Sequence, residues 1–308
     1  MYKFTLIITL LFQLTNANSN DVIPSPKLGD SLNRTVTLSE ERIIGKKLYK
    51  DLQKRNNIIN DFLINEYITY LGNKLSRNIP IERDYLFFVT KSSTINAFAA
   101  PGGVIGINAG LINLTKNEAQ LAGVVAHELG HVALRHSAEM MANSNVNNLP
   151  MWIGIFGGLL SGQTEASIVS IKSGIGLSVQ NNINLIRENE IESDNFAAKL
   201  MQGANFDLNE MANFFKLMQG DSNDQSNLNE YFMTHPLYAN RISTIRNRAK
   251  EQDNPIINSS NDYLYIRNII NSQIDSTSKI DYRTSKNDVQ NHRVALRLFQ
   301  EGKFEKAR

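Results

Sequence analysis

The run His127-Glu128-Leu129-Gly130-His131 constrains this chain more than any other feature, because it demands a helix at one place and a second element packed beside it. Thr115 and Glu118 have the spacing of a capping box, and Leu121, Val124, Val125, Leu129 and Val132 then recur at helical intervals. The pattern predicts an amphipathic helix. On such a helix, positions four apart lie about 40° from each other, so His127 and His131 can grip one ion. Two neutral imidazoles on a metal, an open position for water and a carboxylate to take the water's proton are the parts of a metal-dependent hydrolase. Glu128 is the candidate base. A pair of core histidines satisfied by hydrogen bonds would leave unexplained why one buried helix carries His, Glu and His within five positions. Gly130 is costly in mid-helix and fits the close approach of another element at the metal.

Composition narrows the donors. The chain has no cysteine, which removes thiol nucleophiles, redox CxxC pairs, zinc knuckles, disulfides and a lipoprotein anchor, and leaves His and carboxylate to hold a metal. With 32 basic against 30 acidic residues there is no field to attract nucleic acid. A hydrophobic share of 42% over 308 residues is ample for one large domain or two ordinary ones.

A third ligand is needed. The metzincin pattern would place His at 137 and Gly at 134, where this chain has Ser137 and Leu134. His136 falls about 140° round the helix from His131 and is expected to be a surface or supporting group. Only His235 and His292 remain, so a carboxylate on another helix is the natural candidate. In Arg187-Glu188-Asn189-Glu190-Ile191-Glu192-Ser193-Asp194, Glu190 and Asp194 share one face of a helix that runs to about Gln202, with Gly203 as its stop. Glu190 is expected to bind the ion and Asp194 to orient a ligand imidazole, while Glu188 and Glu192 form a solvated acidic face.

The rest of the chain frames this pair of helices. Lys3, the apolar residues 4–14 and Thr15-Asn16-Ala17 read as a cleavable export signal, too short to span a bilayer. An extended lead-in over 18–38 precedes two packed helices within 39–75. Leu86-Phe87-Phe88-Val89 and residues 104–108 read as strands of a small sheet with a turn at Gly102-Gly103. Within 149–179 the apolar run from Met151 to Leu160 also cannot span a bilayer. It is either a set of glycine-permitted helices covering the site or a hairpin resting on a membrane or client.

Taken together, residues 121–131, Asn96-Ala97-Phe98 and Gly102-Gly103 before them, and Arg187, Glu190 and Asp194 after them resemble the gluzincin peptidases related to the CaaX prenyl endopeptidase. The resemblance covers roughly residues 39–249. It implies an α+β, mainly helical, zincin-like fold with a small sheet. It also implies one zinc ion on His127, His131 and Glu190, Glu128 as general base and Asp194 in support. Thr234-His235-Pro236 with Arg241 matches the family's active-site loop. Ser193 departs from the alanine usual there, and the spanning helices of membrane-embedded relatives have no counterpart. The likeness is strongest to exported members in Gram-negative envelopes. That implies a periplasmic location, unfolded or misassembled protein substrates, the outer-membrane assembly machinery as a candidate partner, no nucleic acid, and membrane contact at the surface only.

The expected chemistry is metal-assisted peptide hydrolysis, with an extended substrate pairing along residues 104–108 as an edge strand. His235 is expected either to cap the zinc in a resting form or, with Arg241, to stabilise the oxyanion. A different class of function is a chaperone-like scaffold that holds assembly clients while its metal site stays latent. Residues 294–307 resemble the first helix and turn of a tetratricopeptide repeat, either cut short or an ordinary amphipathic helix. The expected layout is therefore a signal (1–17), lead-in (18–38), peptidase domain (39–250), connecting helical segment (251–290) and start of a repeat (291–308).

Overall fold

The computed structural model describes residues 36–80, 83–143, 151–152, 179–220, 231–232, 234–253, 255, 259–274, 287–303 and 306. The expected signal, most of the lead-in and most of 149–179 lie outside them. Helix α1 (Leu38–Lys54) opens with a capping box in which Glu40 N–H donates to Thr37 Oγ1 at 3.2 Å and Thr37 N–H to Glu40 Oε2 at 2.8 Å. Helix α2 (Phe62–Ser76) opens on Asp61, which accepts from Ile64 N–H at 3.2 Å.

Strands β1 (Leu86–Thr90), β2 (Ala97–Ala100) and β3 (Val104–Asn108) follow. The turn between β2 and β3 needs glycine, because Gly102 and Gly103 both have positive φ, 79° and 85°. The sheet order is β1-β3-β2, with β1 parallel and β2 antiparallel to β3. This corrects the expectation that residues 104–108 form an edge: β3 is hydrogen-bonded on both sides and has no backbone groups left for a substrate. The outer side of β1 is met by residues 57–59, with Ile59 N–H donating to Val89 O at 2.9 Å. Among the described residues no strand pairs with the outer side of β2, which makes it the edge of the described sheet.

Alternation along the strands feeds two cores. Phe87, Val89, Ala97, Ile105 and Ile107 enter the main core with α2 and helix α4 (Glu118–Ala133). Phe88, Phe98, Ala100 and Val104 enter a smaller one with Ile44, Leu48 and Leu52 of α1 and with Trp152. A short helix α3 (Ala109–Leu114) leads into α4.

Helix α4 differs from its expected form in two ways. Its cap is Asn117, which accepts from Gln120 N–H at 2.9 Å, and not Thr115. The Thr115 hydroxyl instead donates to Ile112 O at 2.6 Å, and the Glu118 carboxylate accepts from Tyr67 Oη at 3.0 Å and Ser260 N–H at 2.7 Å. The helix is also buried on every side, His131 alone being only partly buried. Small residues at Ala119, Ala122, Gly123, Ala126 and Gly130 let neighbours close over the face opposite the apolar stripe, so the helix is central and not amphipathic.

Helix α5 (His136–Ala142) follows at once, after Arg135 in the left-handed conformation (φ 62°). Helix α6 (Val179–Gly203) packs along α4, and α7 (Leu208–Gly220) and α8 (Arg241–Ala249) pack beside them. The left-handed stop of α6 is Asn205 (φ 65°) and not Gly203; Asn205 N–H donates to Gln202 O at 3.0 Å and Phe206 N–H to Met201 O at 2.9 Å. Helix α9 (Asn261–Ile274) contributes Tyr263, Ile266 and Ile270 to the main core, so the packed unit continues past the boundary expected at 250. Helix α10 (Asp288–Gln300) packs on α9 and is followed by Gly302 at φ 73°; the expected repeat rests on this helix alone. No helix among the described residues is long and apolar enough to cross a membrane.

Candidate metal centre

Two helices and one loop build the site. Helix α4 supplies His127, Glu128 and His131, helix α6 supplies Glu190 and Asp194, and the segment entering α8 supplies His235 and Arg241. The helices meet at Gly130, where a Cβ would lie 3.0 Å from both Cα and O of Ser193. A side chain there would push α6 away and carry Glu190 and Asp194 with it.

One ligand atom from each of His127, His131, Glu190 and His235 can be chosen so that all four lie within 4.8 Å of one another. His127 Nε2 is 3.0 Å from His131 Nε2, 3.4 Å from Glu190 Oε2 and 3.3 Å from His235 Nδ1. Glu190 Oε1 is 3.3 Å from His131 Nε2 and 3.1 Å from His235 Nδ1. Bonds of about 2.0–2.1 Å to a tetrahedral zinc ion place ligand atoms roughly 3.3 Å apart, so these spacings suit its coordination edges. The chemistry of the donors agrees. His127 Nδ1 lies 2.9 Å from Asp194 Oδ1, so a neutral His127 that donates to this carboxylate keeps its lone pair on Nε2, the atom that faces the other ligand groups. Ligand atoms that converge in this way suit a cation among them.

The electrostatics follow from burial and from Arg241. Its Nε and Nη2 donate to the two Asp194 oxygens at 2.7 and 2.8 Å, and its Nη1 is 2.7 Å from Glu190 Oε2 and donates to Pro236 O at 3.0 Å. Burial would raise Asp194, but this guanidinium outweighs it and holds the carboxyl below its ordinary value. Burial likewise opposes ionisation of Glu190, and His235, Arg241 and His127 together hold it well below the usual range. Burial pushes His127 down, yet Glu190 and Asp194 bring it up to about 9. Burial takes His131 well below the ordinary imidazole value.

Glu128 has the opposite environment. Burial raises its carboxyl, and neither oxygen has a hydrogen-bond partner; His235 Nε2 stands 3.4 Å from Oε1. A buried carboxylate left without donors beside a metal-ready cluster is suited to accept a proton from a molecule that enters the site.

The loop residues divide. His235 Nδ1 is the fourth ligand atom of the cluster. Arg241 turns its donors to Asp194, Glu190 and Pro236. His292 packs edge-on against Tyr265 and is not part of the cluster.

Three further side chains join the site: spacing leaves His136 as a surface or supporting group without naming its partner, and does not point to Glu192 or Tyr231. His136 is buried, with Nδ1 2.9 Å from His131 Nδ1, and its Nε2 is 3.4 Å from Glu192 Oε2, a residue expected to be merely solvated. Tyr231 packs its ring 4.9 Å from His235 and buries a hydroxyl with no hydrogen-bond partner. The available signal for Tyr231 is its spacing of four from His235. Glu188 is exposed, as expected.

Residues 64–249 match the family described as Peptidase family M48. A Vibrio cholerae protein is 34% identical over 236 residues, 75% of this chain and 49% of its own length. The beta-barrel assembly-enhancing protease of Escherichia coli K12 is 30% identical over 271 residues, 85% of this chain and 55% of that one. The mitochondrial metalloendopeptidase of Schizosaccharomyces pombe is 26% identical over 217 residues, 68% of this chain and 61% of that one. The chain thus spans about half the length of its bacterial relatives. The matched span contains both helices of the site and the loop that closes it, and the chain belongs to Peptidase family M48.

Proposed function

We propose that the chain is a zinc-dependent endopeptidase, exported to the periplasm, that hydrolyses misfolded or unassembled envelope proteins during outer-membrane protein assembly. The observation that carries this reading is the buried Glu128, without a hydrogen-bond partner, next to the ligand atoms of His127, His131, Glu190 and His235. His127, His131 and Glu190 would hold the ion, and Asp194, fixed by Arg241, sets the His127 tautomer. A bound zinc ion supplies Lewis acidity to the scissile carbonyl and to the attacking water. Glu128 takes one proton of that water as its oxygen joins the carbonyl carbon, then delivers it to the amide nitrogen as the C–N bond breaks. The substrate lies along β2, the edge of the described sheet. Asn96, just before that strand, is 3.5 Å from Thr234 Oγ1 beside His235.

The test compares wild type with Glu128→Gln. Both should hold one zinc per chain, and the variant should lose hydrolysis of an unfolded protein by several orders of magnitude. Hydrolysis near the wild-type rate would reject Glu128 as the base, and a wild type without zinc would reject the metal. The scaffold reading draws on one observation, His235 in the fourth corner of the cluster, which would keep the site latent. It predicts that Glu128→Gln retains all function in cells.

A further inference from the structure

The two helix imidazoles are prepared for a cation by different means. His127 has a carboxylate on its far nitrogen, whereas the far nitrogen of His131 meets another histidine, His136, at 2.9 Å. Two Nδ1 atoms at that distance form a hydrogen bond only when one of them carries the hydrogen and the other does not. The remaining nitrogen of His136 decides which. It faces Glu192 Oε2 at 3.4 Å, and an ionised carboxylate can only accept, so in neutral His136 the hydrogen sits on Nε2 and Nδ1 is bare. His131 must then carry its hydrogen on Nδ1, which leaves its Nε2 free. Ser193 Oγ, 3.4 Å from His136 Nδ1, is a more distant donor to the same lone pair.

The backbone explains why helical spacing hides this partner. Had α4 continued, residue 136 would point about 140° away from His131. Arg135 interrupts it with a left-handed residue at φ 62°, and the chain swings back so that the buried His136 ring lies 5.0 Å from that of His131. Arg135 is itself held in place, its Nε donating to Glu41 Oε1 at 2.7 Å and its Nη2 to Val36 O at 2.7 Å.

We propose that His136 is a positioning residue for the metal: oriented by Glu192, it accepts the hydrogen of His131 Nδ1 and so aims the bare His131 Nε2 at the cation. The inference rests on the metal-site reading above, and its readout is affinity for zinc alone, not activity. Zinc dissociation constants of the purified full chain are measured by competition with a chromophoric chelator for wild type, His136→Leu, His136→Asn and Glu192→Leu. Asn and Leu are close in size, but Asn can place a carbonyl acceptor near the position of Nδ1. His136→Leu should bind zinc about 10–100-fold more weakly, as loss of a group that supports a ligand does. His136→Asn should recover most of that loss. Glu192→Leu, at a side chain 38% exposed, should weaken binding several-fold by releasing the tautomer.

Equal affinity in wild type and His136→Leu overturns the proposal. So does an equal loss in His136→Leu and His136→Asn, which would mark a packing role. If neither His136 variant folds, Glu192→Leu decides, and unchanged affinity in it overturns the proposal. A wild type that binds no zinc defeats the metal reading itself, and is distinguished because it needs no variant.

Discussion

Arg241 shows how a single side chain can be essential without touching the reacting atoms. It is buried over the Phe215 ring at 4.6 Å and neutralises two carboxylates, so removing it strands Asp194 and Glu190 together. Breaking a buried pair from one side costs about 3–5 kcal/mol, so Arg241→Leu should lower stability by that order in urea denaturation. A loss below about 1 kcal/mol would mean that water or a neighbour replaces the guanidinium. On the reading in which His235 caps the metal, it has a different signature, because it would compete for the position a substrate needs. His235→Ala should cleave an unfolded substrate faster, or cleave itself, when assayed at equal zinc loading. A large fall in kcat with little change in KM would instead support the oxyanion role. At this scale the sequence is readable where chemistry is local: His127, Glu128 and His131 share a helical turn, and Glu190 and Asp194 share another. Glu192 is misjudged as merely solvated, and the partner of His136 goes unnamed, because their pairing crosses between helices, and spacing along one helix carries no information about the other.

Among elements, the contact of α4 with α6 carries most of the consequence. Gly130→Ala adds a methyl group against Ser193 backbone atoms that cannot move without shifting α6. Overpacking of this kind costs about 1–3 kcal/mol. The expected outcome is a lower melting temperature together with weaker zinc retention, because Glu190 and Asp194 ride on the displaced helix. Weaker retention at an unchanged melting temperature would point to a local effect on the histidines alone. The glycine is legible in the sequence as a close approach, yet the neighbour it admits is not. The strand order is illegible for a related reason: residues 104–108 read as a short apolar strand of either kind, and the pairing of β3 on both sides depends on β1 arriving parallel, Leu86 opposite Val104, a non-local choice. Likewise the apolar stripe on α4 reveals one packed face, while burial of its small-residue face depends on α6 and α7, which come later in the chain.

For the whole molecule, the main core draws on residues from Ile59 to Ile270, so it closes only when α9 is in place. Tyr263 is fully buried, and its hydroxyl donates to Thr115 O at 2.9 Å, at the entry to α4. A chain ended after residue 250 should therefore lose its cooperative thermal transition and be digested by limited proteolysis, whereas one ended after residue 286 should keep it. Equal melting of the two would make α9 an appendage to a unit that ends near residue 250. The outer edge of β2 has a consequence of another kind. Four residues of strand can pair with a run of about 13 Å of extended chain, and main-chain pairing asks whether amides are free, not which side chains they carry. A protein that has completed its own ladders offers none, while one still waiting to assemble offers them for as long as it waits. On the proposed reading such an edge works as a timer: clients are sorted by delay, and the slow are cut whatever their sequence.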